Sequence, residues 1–188
     1  MGLEYGTVES AKFVTTVGLI TSDGPWGPNI MSAEWTHHIS YEPGLIAVNI
    51  HPWDATVENI IKSKEFGVNI ATEDQNIISS IAGRSSGKKV DKIALLKELG
   101  VEFYKAKKIK VLMVKGAALN AECKVIKQET IGDHIMFIGE VVESSVDENA
   151  KPILYHGGKY YKVGDRILKP DQKDLDKISK VIEKYRKN

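Results

Sequence analysis

The chain has 188 residues, 42% of them hydrophobic and 27% charged, which suffices for one domain with a real core and excludes both a disordered and a membrane-embedded protein. Lys and Arg number 26 against 25 Asp and Glu, so the net charge of +1 excludes a general attraction to nucleic acid or anionic lipid, and any anion must be held locally. The single cysteine, Cys123, makes neither an intramolecular disulfide nor a multi-thiolate metal site, which fits a reducing, cytoplasmic compartment.

Met1 to Ser10 carries Glu4 and Glu9 and no apolar run that would serve as a signal peptide, and no later segment approaches the ~20 apolar residues of a membrane span, so a soluble protein is expected. Lys12 to Thr21, rich in Val, Thr and Ile, predicts a strand that stops at the turn formers Ser22, Asp23, Gly24 and Pro25. Asn29 to Thr36 predicts its antiparallel partner. Leu45 to Ile50, after Pro43 and Gly44, predicts a third strand buried on both faces.

Thr56 to Lys64 places Val57, Ile60 and Ile61 at helical spacing, and Phe66 to Ile70 predicts another short strand. Thr72 is the expected N-cap of a second helix, with Ile77, Ile78 and Ile81 as its apolar stripe and an end near Gly83. Asp91 to Leu99 predicts a third helix closed by Gly100. From Ala117 to Ser145 the pattern is β, with Ala121, Cys123 and Val125 inward and a hairpin turn at Ile131, Gly132 and Asp133. Ile153 to Val163 predicts a last hairpin around Gly157 and Gly158. After Pro170 comes a helix with Leu175, Ile178, Ile182 and Tyr185 on one face, acidic at its start and basic at its end. Strands interrupted by short helices, with hairpins at both ends, imply a barrel-like β domain rather than a doubly wound sheet.

The stretch Gly83, Arg84, Ser85, Ser86, Gly87, Lys88, Lys89 is too short between its glycines for a nucleotidase loop and lacks the hydroxyl residue after its lysine. Taken alone it is a solvated basic turn, yet its hydroxyls, amides and lysines are what a ligand phosphate needs. His37 and His38 are neighbours in a strand and point to opposite faces, so they do not chelate together and no metal site is expected. Cys123 is expected to be a buried small hydrophobe. Neither a Gly-x-Ser-x-Gly elbow nor a His-Glu-x-x-His motif occurs, which leaves hydrolytic chemistry without a foothold. Trp26, Trp35 and Trp53 fall at strand ends or in loops, where such rings edge a core or wall a ligand site.

The run Asn29-Ile30-Met31-Ser32-Ala33-Glu34-Trp35-Thr36, then Ser40, Pro43 and Leu45 to Ile50, resembles the flavin reductase-like, FMN-binding split-barrel family. The resemblance continues through Thr56, Asn59 and Ile60, Phe66 to Asn69, Ser86-Gly87-Lys88 with Asp91-Lys92, and His156-Gly157-Gly158-Lys159-Tyr160-Tyr161, covering about residues 11–164. Gly44 stands where the family's second proline is usual, and His51 where an arginine is common. The resemblance implies a mainly β split barrel with short helices, with 1–170 as the FMN-binding domain and 171–188 as a C-terminal amphipathic helix of that domain.

It also implies a flavoprotein, an NAD(P)H-dependent flavin reductase that transfers hydride from NADH or NADPH to flavin N5. The alternatives are a non-enzymatic FMN-binding electron carrier and a split barrel holding another flat anionic ligand. The implied cofactor-binding residues are Met31, Ser32, Ala33, Glu34, Trp35 and Thr36 along the isoalloxazine, with Trp53 as a wall. Asn49, His51, Thr56, Ser86, Gly87 and Lys88 fall to the ribityl chain and phosphate, and His156 to the flavin or its reductant. No triad-type catalytic side chain is expected, because the cofactor carries the chemistry. The implied partners are flavin and nicotinamide, a possible redox-protein acceptor and a second copy of the chain in a homodimer, with no nucleic acid and no membrane.

Overall fold

A computed structural model describes residues 3–4 and 6–187. The outermost ends of the expected domain and of its terminal helix, Met1 and Asn188, lie outside the described residues. The frame is an antiparallel seven-stranded sheet in the order β3-β2-β6-β9-β10-β5-β4. Its strands are β2 Gly18–Ser22, β3 Asn29–Ala33, β4 Thr36–Ser40, β5 Leu45–Ile50, β6 Glu65–Ile70, β9 Leu119–Ile131 and β10 His134–Val146. The short β1 Thr15–Thr16 pairs instead with β11 Leu154–His156, which forms the last hairpin with β12 Lys159–Tyr161. The sheet curls around Ile20, Val48, Phe66, Val68, Cys123 and Phe137, all buried, and its two edge strands, β3 and β4, leave the barrel split.

Glycines permit the curl where strands crowd. A Cβ on Gly139 would come within 2.5 Å of Phe66 and 2.7 Å of Cys123, so the ring packs directly on the β10 backbone. The register shifts beside Gly139, between Ile138 and Gly139, which bends the long hairpin as a bulge does. The hairpin turns at Gly132, where φ is +60° and a side chain would be strained.

Three helices pack against the β2 and β3 side of the sheet. They are α1 Ala55–Ser63, α2 Asn76–Arg84 and α3 Lys92–Glu98; Asp91 caps α3 by accepting from the Ala94 amide at 2.9 Å, and Gly100 follows it at φ +86°. A second core joins Ile78 and Ala82 of α2 and Ile93 and Leu96 of α3 to Leu19 and Ile30 of the sheet.

Several expectations are corrected. The segment from Lys12 begins as a 3-10 turn over Ser10–Lys12 before β1 and β2, and the expected strand 29–36 is two strands. The chain breaks at Glu34 and Trp35 because Thr36 must turn back onto β5, where it pairs with Val48. Thr72 does not cap α2: it is buried in a bridge to Pro152, its hydroxyl donates to Asp74, and the helix starts at Asn76. Of the expected stripe, Ile78 is buried and Ile81 packs against the second core, whereas Ile77 is 61% exposed and Ala82 joins the buried face.

The strands β7 Phe103–Lys105 and β8 Leu112–Val114 have no counterpart in the pattern analysis. They bury one face of β6 and β9 through polar side chains: Asn69 Oδ1 accepts from the Val114 amide, and Glu122 accepts from the Lys107 and Lys108 amides. That is why Asn120 and Glu122 are buried alongside the expected inward Ala121 and Cys123. The last helix, α4 Gln172–Lys184, has no buried residue among those described, so its apolar face does not pack on its own barrel.

Candidate functional site

A cavity of about 390 Å3 opens where β3, the start of α1 and the α2–α3 connection meet, within the volume range of small-molecule sites. The floor carries Asn29, Met31 and Ser32; one side carries His51, Trp53, Asp54, Ala55 and Thr56; the other carries Ala82, Gly83, Ser85, Ser86, Gly87 and Lys92. Each piece is placed by local sequence. Asn29 opens β3 and donates to Thr56 Oγ1 at 2.9 Å, which ties floor to helix. Asp54 precedes α1, and Ala55 and Thr56 are that helix's first residues. Amides of a helix's first turn lack acceptors within the helix, and with the helix dipole they favour an anion.

The cation is Lys92, the first residue of α3 and only 3% exposed. Its Nζ donates to the Ala82 carbonyl oxygen at 3.1 Å. Burial lowers its pKa to about 8, partly offset by the Asp54 carboxylate. Burial in turn raises the pKa of Asp54, against the pull of His51, Lys92 and Lys88.

Aromatic rings lie beside the start of α1. His51 stacks on Trp53 at 4.4 Å between centroids with planes 11° apart, His134 lies 3.9 Å from His51, and Trp35 lies 4.4 Å from His134. Ligand atoms of His51, Asp133 and His134 fall within 4.8 Å of one another. The His51 and His134 planes are tilted 33° from one another, and His134 Nδ1 lies 2.7 Å from Asp133 Oδ1.

Half of the residues expected at a cofactor meet on this wall: Met31, Ser32, His51, Trp53, Thr56, Ser86 and Gly87. Ala33 and Thr36 are buried, with the Thr36 hydroxyl donating to the Ala33 carbonyl oxygen. Glu34 sits at the corner after β3, its pKa raised by burial, while Trp35 is half exposed against His134. Asn49 lies in β5, and its amide donates to the Trp35 carbonyl oxygen. Lys88 is off the wall: its Nζ pairs with Glu58 and lies 5.3 Å from the centre of the Trp26 ring, which itself donates to Glu58. That contact holds the Glu58 carboxyl below its ordinary pKa. His156 lies in β11 with its ring edge on Tyr161, off the cavity wall.

The other wall residues, Ala55, Ala82, Gly83 and Ser85 and the polar Asn29, Lys92 and Asp54, were not among those expected at a cofactor, although Asn29 and Lys92 stood within the matched motifs. A helix cap at Asp54 was the signal for the third.

Asn29 Oδ1 and His51 Nδ1 are buried with no hydrogen-bond partner, which is costly unless something else fills the place. A Cβ on Gly87 would overlap the Asn29 side-chain amide, so backbone lies directly against the floor there. Unpartnered polar atoms, hydroxyls, a helix start, a buried cation and flat rings on one wall fit a phosphorylated molecule carrying a flat ring system such as FMN.

The fold is a split barrel whose cavity sets a buried cation beside flat aromatic rings. The chain belongs to the flavin reductase like domain family, whose model matches residues 10–164. It is 31% identical over 131 residues to an uncharacterized protein of Pyrococcus abyssi, covering 70% of this chain and 71% of the relative. To the NADH:FMN oxidoreductase of Rhodococcus qingshengii it is 25% identical over 150 residues, covering 78% and 74% of the two chains. Among solved structures it resembles the flavin reductase PheA2, with a TM-score of 0.70 and 30% identity over 83% of this chain and 94% of that one. A flavoredoxin from Methanosarcina acetivorans shares the fold, with a TM-score of 0.76 at 22% identity over 87% and 92%. Among the described residues, no helix is long and apolar enough to cross a membrane.

Proposed function

We propose that this protein binds FMN in the cavity between β3, α1 and the α2–α3 connection and acts as an NAD(P)H-dependent flavin reductase. The observation that carries the reading is a wall that sets the buried Lys92 and the start of α1 beside flat aromatic rings, with Asn29 Oδ1 and His51 Nδ1 buried and unpartnered. Lys92, the first turn of α1, Ser85 and Ser86 would hold the phosphate. Asn29, His51 and Thr56 offer hydrogen-bonding atoms to the polyhydroxyl chain, and Met31, Trp53 and Ser32 flank the ring.

When bound, the flavin supplies the two-electron chemistry, taking hydride from a nicotinamide and passing electrons to an acceptor. The chain's own part is to orient and to exclude water. Backbone at Gly83 and Gly87 and the small methyl of Ala82 would let the ligand approach closely, and the exposed Trp53 ring would offer a face to a second flat molecule. Membership of a family that includes NADH-linked relatives supports the nicotinamide donor. The single thiol, buried and pushed up to about 12 by burial and by Glu122, suits a reducing cytoplasm and takes no part.

The barrel up to residue 170 is the cofactor-binding unit in this reading, and α4 serves a homodimer. Leu175, Ile178, Val181 and Ile182 are all exposed on one face of α4. Packed antiparallel on a second copy, the helix would set Ile178 opposite Ile182 and bring the acidic start at Asp171 and Asp174 beside the basic end at Lys184 and Arg186.

The test is a visible spectrum of the protein with FMN before and after anaerobic NADH or NADPH. A bound flavin that bleaches supports the reductase. A flavin that stays oxidised with both donors points to an electron carrier, and absence of binding removes the reading altogether.

A further inference from the structure

Two imidazoles and a carboxylate from distant parts of the chain meet at the edge of the cavity. His51 follows β5 and lines the cavity wall, while Asp133 lies in the turn before β10 and His134 opens that strand. The register brings them together: Ile50 pairs with Ile135, which sets His51 across from His134. Their ring centroids are 3.9 Å apart, and one nitrogen or oxygen from each of His51, Asp133 and His134 lies within 4.8 Å of the other two.

Three observations point to a ligand between these side chains. His51 Nδ1 is buried and meets no hydrogen-bond partner, so part of its binding capacity is unused by the chain itself. Trp53 stacks on His51 and Trp35 lies against His134, so each imidazole is held by an aromatic neighbour in an orientation shared with the other. Asp133, by contrast, is 79% exposed on a turn made at Gly132, where it can swing. His37 and His38, the pair adjacent in sequence, are both exposed on β4 and belong to no such group among the described residues.

We propose that His51, Asp133 and His134 form a binding site for a divalent transition-metal ion at the edge of the cavity. Two imidazole nitrogens and one carboxylate oxygen suit Zn2+ and its first-row neighbours, whereas Mg2+ and Ca2+ favour oxygen alone. Around a tetrahedral ion with bonds of about 2.0–2.1 Å the ligand atoms stand about 3.3 Å apart, a closure that the Asp133 side chain supplies by turning inward. Three protein ligands leave a fourth position open to water or to a small anion. The site does not depend on the FMN reading, since none of its ligands is supplied by a flavin.

The experiment uses flavin-free protein without an affinity tag. Zn2+ is titrated at neutral pH in competition with a chromophoric chelator, and Co2+ is added separately to record its visible absorption. About one Zn2+ per chain should bind at micromolar concentration, and Co2+ should show the strong visible bands of a four- or five-coordinate ion rather than those of the hydrated one. His51→Ala, His134→Ala and Asp133→Asn should each weaken Zn2+ by roughly tenfold or more and lose the Co2+ bands, while His38→Ala should change neither. Failure to bind Zn2+, an affinity unchanged in His51→Ala and His134→Ala, or a loss caused by His38→Ala instead overturns the proposal. Should either alanine variant fail to fold, Asp133→Asn on its exposed turn carries the test, and an unchanged affinity there overturns the three-ligand site. Zn2+ bound by a chain that takes up no FMN supports this site and overturns only the flavin reading, whereas FMN taken up by a chain that binds no Zn2+ overturns this proposal alone.

Discussion

Lys92, at the start of α3, reaches back to donate its Nζ hydrogen to the Ala82 carbonyl oxygen near the end of α2, so one buried ammonium joins two helices beneath the cavity. Its pKa of about 8 lies below the ordinary lysine value of 10.5. The folded protein without ligand therefore binds fewer protons at this site than the unfolded chain between about pH 8 and 10.5. That term adds stability as the pH rises through this window. A phosphorylated ligand needs the charged form, so FMN affinity should hold below pH 8 and fall above it by up to tenfold per pH unit. Lys92→Met should weaken FMN by roughly 10- to 100-fold and flatten that pH dependence, as the loss of a charge-assisted bond implies. Fluorescence titration of FMN from pH 6.5 to 9.5 checks both.

Lys88 should matter far less. Its charge is spent on Glu58, at a partly exposed position where an ion pair is worth about 0–1 kcal/mol. Lys88→Ala is expected to change FMN affinity less than threefold. A loss as large as that of Lys92→Met would return the phosphate to Lys88.

Gly87 offers a steric test. Because a Cβ there would overlap the Asn29 amide, Gly87→Ala should push Asn29 off Thr56 and reshape the floor. FMN binding should drop at least tenfold, while thermal unfolding without ligand shifts by only a few degrees, since the loop itself can yield. Calorimetric titration beside a melting curve separates the two.

The terminal helix supplies a test of assembly. Ile178→Asp places a charge on the apolar face of α4 and should shift the protein toward monomer in sedimentation or light scattering, with its circular dichroism unchanged. A constant molar mass would show that α4 does not join two copies.

Legibility in the sequence followed the range of the interactions. The strand Leu45–Ile50 and the capped helix from Asp91 were readable because period, cap and closing glycine are local signals. Thr72 misled because a hydroxyl residue ahead of acidic ones looks like a cap, while its real place is set by Pro152, eighty residues away. The strands β7 and β8 escaped notice since Asn69 and Glu122, polar side chains on sheet strands, hold them down. Lys88 and Lys92 lie four positions apart and look alike as charges. Only their surroundings, Glu58 with a tryptophan face in one case and a buried carbonyl in the other, tell them apart.

By itself the sequence determined the kind of molecule: a barrel-like β fold without hydrolytic motifs, and a set of ordered motifs that resemble one flavin-linked family. These follow from local patterning, which each segment carries wherever it lies. Tertiary structure alone decided which residues share a wall, that the buried cation is Lys92, and that His51 meets Asp133 and His134. Burial and side-chain contact depend on distance in space, and the pairing of β5 with β10 brings His51 beside Asp133 and His134 from two separate stretches of the chain.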